Sequence, residues 1–179
     1  MRIKGDEKML LLKLACCALL IWLCASIGQK RALSAQLKAR TQLELAGSIL
    51  KIKSLILYDN ATVKEILSSS LSEDEQVKLY FKLIKTQLSA NPELSLGQAA
   101  RNAAQNTALE PVSEAFLTAA EGLKEIECAD IQHSSARLAL AYESIKKSGD
   151  AAMEIYKQKS SLYRSIGILS GLLASILII

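Results

Sequence analysis

The chain has 179 residues, of which 50% are hydrophobic and only 4% aromatic, and its formal net charge is +4. Long Ala, Leu, Lys, Glu and Gln stretches carry the apolar content without a two-residue alternation, which excludes a sheet protein and predicts an all-α chain. Aromatic residues do not interleave with the basic ones, as a nucleic-acid groove requires, so the sequence also argues against nucleic-acid binding.

The first predicted element is an apolar helix, because residues Leu14–Gly28 (LACCALLIWLCASIG) contain no charged side chain. A helix of this length spans roughly 22 Å, and a bilayer core requires about 20 residues. A Lys13 side chain that reaches the membrane surface would bring the residues before it into the apolar layer. We expect a short tail over residues 1–8 and a transmembrane helix over residues 9–28. A buried core helix and a leader cleaved near Cys24 are the alternatives.

Residues 29–163 are predicted to form a bundle of helices joined by short loops. Its first helix continues from the apolar segment to about Tyr58-Asp59-Asn60, and a short helix follows over about Thr62–Ser69. Apolar residues of the first helix recur at spacings of three and four, which is typical of one face of an amphipathic helix: Leu33, Leu37, Leu45, Ile49, Ile52 and Ile56.

Two capping-box patterns predict the starts of the next two helices: Ser72 with Glu75, and Ser95 with Gln98. The first of these helices carries one apolar face, formed by Val77, Phe81, Ile84 and Leu88. Pro111 fits the first turn of a further helix, whose apolar residues are Val112, Phe116, Ala119 and Leu123.

The last predicted helix begins at Asp130, a good N-cap residue, and continues into the C-terminal apolar segment. Its apolar residues follow a seven-residue repeat: Ile131, Leu138, Tyr142, Ile145, Ala152, Tyr156 and Tyr163. One glycine inside a helix costs only about 1 kcal/mol. We therefore predict that the helix continues through Lys146–Asp150 (KKSGD), and the alternative is a break at Gly149.

The second predicted transmembrane helix covers residues 164–179, because Ser165–Ile179 contains no charged side chain. Lys157, Lys159 and Arg164 lie on its N-terminal side, so the positive-inside rule predicts a cytoplasmic bundle with both termini across the membrane. Small residues let a neighbouring helix approach closely, which predicts the packing positions of the two spans: Ala18, Ala25, Gly28, Gly167, Gly171 and Ser175.

The sequence offers no catalytic or metal-binding constellation. His133 is the only histidine and Cys128 is the only cysteine outside the first span, so neither a metal cluster nor a nucleophile with its base is indicated. We therefore predict a protein that is not an enzyme and binds no cofactor. Lys78, Lys82 and Lys85 form a basic stripe, which is either a solvated helix face or a docking surface for a partner.

The C-terminal residues Lys157–Ile179 (KQKSSLYRSIGILSGLLASILII) resemble the closing motif of the stage III sporulation protein AB family. In that motif a long helix ends with Lys-Leu-Tyr-x-x-Leu-Gly and continues in a Gly-Leu-Leu membrane segment. Asp130 with Gln132 is similar to the pair that opens the family's last helix. Arg31 with Leu43–Ile49 is similar to its first soluble helix.

This resemblance implies a small antiparallel helical bundle between two transmembrane helices, similar to the cytoplasmic domains of the type II secretion platform protein. It also implies a non-catalytic platform in the mother-cell membrane, the outer forespore membrane, within the channel that joins mother cell and forespore during endospore formation. The implied partners are the secretion-type ATPase of the same operon, stage III sporulation protein AA, the other membrane proteins of that operon and the lipid bilayer.

Two functions of other classes stay open at the level of sequence. One is a pore-lining or helper subunit of another membrane transport complex. The other is an exported helical protein with a cleaved leader.

Overall fold

The computed structural model describes residues 3–59, 61–106, 112–127 and 131–178, and these residues form six α-helices and no strand. The helices are α1 (Ile3–Asp59), α2 (Val63–Ser68), α3 (Glu75–Ala90), α4 (Leu96–Ala104), α5 (Ser113–Lys124) and α6 (Ile131–Ile178), and a 3-10 turn at Glu125–Glu127 follows α5. The predicted all-α class is therefore confirmed. Pro111, Cys128 and Asp130 lie outside the described residues.

The chain forms two compact units. One comprises Met1–Gln36 with Met153–Ile179, and the other comprises Leu37–Ala152. Both α1 and α6 contribute residues to each unit, whereas α2, α3, α4 and α5 lie wholly within the second.

The core of the second unit forms where the apolar faces of its helices meet. α3 packs on α4, and α4 packs on α5. Full burial of each large apolar side chain stabilises the fold by about 1.5–3 kcal/mol. The largest fully buried side chains are Leu45, Ile49, Ile52, Val77, Tyr80, Ile84, Val112, Phe116, Leu123, Leu138 and Ile145.

Most predicted core positions are buried or half-buried, but Ile131, at the start of the α6 pattern, is 45% exposed, and the two positions at the start of the α1 pattern are exposed as well. Leu33 and Leu37 are 54% and 53% exposed. Tyr80 was missed by the sequence analysis and is fully buried, with its hydroxyl donating to the Phe116 carbonyl oxygen at 3.3 Å. Burial raises the pKa of Tyr80 well above its usual value, because the charged phenolate would lose its hydration.

Helix α6 continues through Lys146–Asp150, as predicted. A Cβ atom at Gly149 would lie 2.9 Å from Leu43 Cδ2 and 3.3 Å from Gln42 Cβ. Gly149 is therefore a position where α6 passes close to α1, and its missing side chain serves packing rather than a break in the helix.

The helix caps agree with the sequence only in part. Ser95 is the N-cap of α4, as predicted, and its hydroxyl accepts a hydrogen bond from the Gln98 N–H at 3.3 Å. The predicted box of Ser72 with Glu75 is wrong, because Asp74 is the N-cap of α3. A capping box that the sequence analysis missed joins Thr62 and Glu65 at α2, and its hydrogen bonds from Thr62 lower the pKa of Glu65.

Among the residues that the structure describes, no helix combines the length and apolar character needed to cross a membrane. The predicted transmembrane helices over residues 9–28 and 164–179 are therefore not confirmed. The predicted packing positions lie outside the residues whose side chains are described: Ala18, Ala25, Gly28, Gly167, Gly171 and Ser175.

Candidate docking surface

Helix α3 carries a basic face that lies beside its buried one. Lys78, Lys82 and Lys85 are exposed and follow one another at spacings of four and three, which places them on one face. Lys78 Nζ lies 3.4 Å from a Glu73 carboxylate oxygen and 3.6 Å from one of Glu75. Lys82 and Lys85 are exposed as well, and within the described part of the chain neither takes part in an ion pair.

These lysines line a surface depression together with the segment that connects α2 to α3. Ser69, Ser70, Leu71 and Ser72 contribute to its lining, and Leu67 and Phe81 add apolar surface. The lysine ammonium groups provide positive charge and hydrogen-bond donors, which favours a ligand that carries carboxylates or other anionic groups.

A polar face of α1 holds the connecting segment in place. Three side chains of α1 contact it. The Thr41 hydroxyl donates to Asp74 Oδ2 at 3.1 Å, the Ser72 hydroxyl donates to Glu44 Oε2 at 3.2 Å, and the Ser48 hydroxyl donates to the Leu71 carbonyl oxygen at 3.2 Å.

A fourth contact continues the same face, because Lys51 Nζ donates to the Ser70 carbonyl oxygen. Residues 41, 44, 48 and 51 are spaced three, four and three apart and therefore share one side of the helix. Their partners run from Asp74 back to Ser70, so the connecting segment runs antiparallel to α1. Thr41 and Ser48 are 4% and 1% exposed, and buried hydroxyls with partners fix the geometry of what they bind.

Two kinds of chemical group are relevant in and near the depression, metal ligands and histidine. In the described ranges, no three His, Cys, Asp or Glu side chains lie close enough together to hold a metal ion. His133, the one histidine, lies in the first turn of α6 with its Nε2 atom 3.7 Å from a Glu125 carboxylate oxygen. It does not line the depression.

The sequence analysis found the lysine stripe but not the residues of α1 that position the segment beside it. The spacing of these residues could have indicated a polar stripe on α1. Polar residues at spacings of three and four form such a stripe beside the buried apolar one at Thr41, Glu44, Ser48 and Lys51. Which segment meets that stripe depends on the tertiary fold. Local periodicity therefore cannot reveal it.

The described residues thus define a helical bundle with an exposed basic surface on α3. A protein-family model described as stage III sporulation protein AB matches residues 13–179. The chain therefore belongs to the stage III sporulation protein AB family, which confirms the resemblance seen in the sequence. No curated protein and no solved structure matches the chain.

Proposed function

We propose that this sporulation protein is a two-span, non-catalytic platform in the outer forespore membrane, within the mother cell–forespore channel. Its bundle docks the secretion-type ATPase, stage III sporulation protein AA, from the cytoplasm. The observation that carries the proposal is the continuity of α1. The helix supports the docking surface through Thr41, Glu44, Ser48 and Lys51 and extends without a break to Ile3.

Membrane insertion is supported by two features of the terminal unit. Leu14–Gly28 and Ser165–Ile179 contain no charged residue. Large apolar side chains of this unit are also open to their surroundings, since Trp22 is 66% exposed and Leu162, Ile166 and Leu169 are 57–58% exposed. Apolar surface of this kind favours contact with lipid or with another membrane protein.

The C-terminal part of α6 separates two kinds of residue by face. Leu162, Ile166 and Leu169 are spaced four and three apart and share one side of the helix. At about 100° per residue, helical spacing predicts that Gly167, Gly171 and Ser175 lie on the other side. The proposal assigns the apolar side to lipid and the small-residue side to close packing against a second helix.

Coupling would follow from the two continuous helices. Force applied to the lysine surface acts on the Ser70–Asp74 segment, which hydrogen-bonds to α1. No loop interrupts α1 between that contact and the first apolar segment, and none interrupts α6 between Ile131 and the second. In the proposed function, the motion of the ATPase therefore reaches the membrane helices without passing through a flexible linker.

The docking role is tested with charge reversal on the full chain. The triple variant Lys78→Glu, Lys82→Glu and Lys85→Glu should lose most of the ATPase that co-purifies with the chain from detergent extracts of sporulating cells, because like charges then face each other. A matched variant changes three exposed basic residues elsewhere by the same charge: Lys124→Glu, Arg137→Glu and Lys147→Glu. Equal recovery of the ATPase with both variants would contradict the proposed surface.

A further inference from the structure

A second depression lies along the exposed side of α1. Gly47, Leu50, Ser54, Leu57 and Tyr58 line it. The first four are spaced three, four and three apart and Tyr58 follows Ser54 by four, which places all five on one side of the helix. Leu50 is 45% exposed and Tyr58 is 81% exposed, so apolar surface is open here although the opposite face of α1 is buried in the core.

This side of α1 has the pattern of a helix-packing seam. Leu43, Leu50 and Leu57 recur every seven residues, and small residues, Gly47 and Ser54, follow the first two leucines by four positions. A seven-residue repeat with small residues between leucines suits a second helix that approaches closely. At the Leu43 end of the seam, another helix of the same chain already packs against α1, because Leu43 contacts Gly149 of α6.

The seam adjoins the lysine surface. Lys51 lines the depression on α1, and its ammonium group donates to the carbonyl oxygen of Ser70, which lines the lysine depression. An apolar groove and a basic surface therefore meet at the Lys51–Ser70 contact. A ligand that occupies both would need apolar and acidic groups side by side.

Charge selects among the possible occupants. Lys51 and Lys53 flank the seam, and Lys78, Lys82 and Lys85 continue the positive charge beyond Ser70. A second copy of this chain docked by the same surface would bring lysines towards lysines, which is unfavourable. A lipid surface could neutralise the charge of the lysines. It has no helix that could pack against the alternating leucines and small residues.

We infer that the seam and the lysine depression together bind one acidic amphipathic helix of a partner protein. Its apolar edge lies against Leu50, Leu57 and Tyr58, and its carboxylates lie over the lysines. The inference rests on the proposed function, because it takes the second compact unit as the one that faces the partner. It adds to that function the kind of partner segment that binds and the apolar half of the binding surface.

Site-specific photo-crosslinking in sporulating cells tests the inference with the full chain. The photoreactive residue p-benzoylphenylalanine is placed at Tyr58 in one strain and at Lys82 in another, and mass spectrometry identifies the crosslinked peptides. Both positions should crosslink to one helical segment that is rich in Asp and Glu and has apolar residues at spacings of three and four. The same residue at Glu143, an exposed position of α6, should give no such product.

Every other result at Tyr58 overturns the inference. These results are a crosslink to a second copy of this chain, a crosslink to lipid, a crosslink to a segment without acidic residues, and no crosslink. A further variant, Leu50→Asp with Tyr58→Asp, places charge in the apolar half. It should lower the crosslink yield from position 82 by roughly tenfold, because an apolar anchor is lost. Both residues are exposed, and an unchanged thermal midpoint would verify that the variant folds.

The outcomes separate this inference from the proposed function. If the lysine variant loses the ATPase but position 58 crosslinks nothing, the platform function stands and the extended surface is wrong. If both positions crosslink to an acidic helix of a protein other than the ATPase, the extended surface stands and the proposed coupling is wrong.

Discussion

Asp74 supports the lysine surface at the scale of a single residue, because each of its carboxylate oxygens serves a different helix. Oδ1 accepts hydrogen bonds from the Gln76 N–H at 3.0 Å and the Val77 N–H at 3.2 Å, which caps α3. Oδ2 accepts a hydrogen bond from the Thr41 hydroxyl of α1. Loss of this carboxylate would remove a helix cap and leave the buried Thr41 hydroxyl without its acceptor.

We therefore expect Asp74→Ala to lower the free energy of unfolding by about 1–3 kcal/mol. The neighbouring change Glu73→Ala is the control, because this side chain is 87% exposed and makes a surface ion pair with Lys78. Such pairs contribute about 0–1 kcal/mol. Denaturant unfolding of the full chain in detergent, followed by circular dichroism, measures both changes. An equal loss for the two variants would show that Asp74 has no structural role.

Substitution by alanine should have opposite effects on stability at two glycines. A Cβ atom at Gly97 would lie 2.7 Å from Lys124 Cβ and 2.9 Å from Lys124 Cα, so α4 and α5 would have to separate. Overpacking of this kind costs about 1–3 kcal/mol. At Gly47 a Cβ atom would meet no atom within 4 Å.

We expect Gly97→Ala to destabilise the protein and Gly47→Ala to stabilise it by about 0.5–1 kcal/mol, because alanine loses less backbone entropy in a helix than glycine does. The same unfolding measurement compares the two variants with the parent chain. Stabilisation by Gly97→Ala would mean that the close approach of α5 to Gly97 is absent in solution, and destabilisation by Gly47→Ala would contradict the open space at Gly47.

At the scale of elements, the sequence located the helices better than it located their ends. Ser72, Glu73 and Asp74 lie in a row before α3, and the sequence pattern favoured Ser72 as the cap. The structure instead uses the Ser72 hydroxyl to donate to Glu44 and to accept from the Asp74 N–H. The choice of cap depends on α1, some 30 residues away. A pattern of neighbouring residues therefore could not predict it.

The role of Gly149 also depends on a helix that is distant in the sequence. In the sequence it is a candidate helix breaker, and only its contact with Leu43 and Gln42 of α1 reveals a packing role. Tyr80 illustrates the converse, because its spacing of three to Val77 and four to Ile84 matches the apolar face and could have placed it in the core. Its hydrogen bond to the Phe116 carbonyl oxygen depends on the tertiary fold.

The two faces of the C-terminal part of α6 give a prediction at this scale. Gly167→Leu with Gly171→Leu should reduce recovery of the other channel proteins with the chain, because the added side chains keep a neighbouring helix away. The matched enlargement on the other face, Ile166→Phe with Leu169→Phe, should have little effect, since those side chains are assigned to lipid. Co-purification from sporulating cells measures both, and equal recovery from the two variants would refute the assignment of faces.

At the scale of the whole molecule, the lysine surface and its support are a property of the assembled bundle. Its contacts join residues 19, 28 and 33 positions apart in the chain, in the pairs Lys51–Ser70, Glu44–Ser72 and Thr41–Asp74. The lysine stripe was visible in the sequence because it is local to α3. The surface that supports it was not, because it forms only where α1 meets the segment between α2 and α3.

The proposed topology gives the last prediction, which concerns the two ends of the chain and the bundle between them. In a variant whose four native cysteines are replaced by alanine, a single cysteine is introduced at Glu93, in the exposed turn after α3, or directly after Ile179. The variant is produced in non-sporulating cells, where it would insert in the cell membrane. A membrane-impermeant maleimide added to these intact cells should label the second site and reach the first only after permeabilisation, because the basic flank of α6 favours the cytoplasmic side.

Lys4→Cys supplies the matched control, because the proposed topology places the N-terminus on the same side as the C-terminus. Its cysteine should react with the maleimide in intact cells as readily as the one after Ile179. Labelling of the cysteine at Glu93 in intact cells would place the lysine surface outside the cytoplasm. A cytoplasmic ATPase could not reach it there. This result would therefore contradict the proposed topology, the platform function and the coupling through α1.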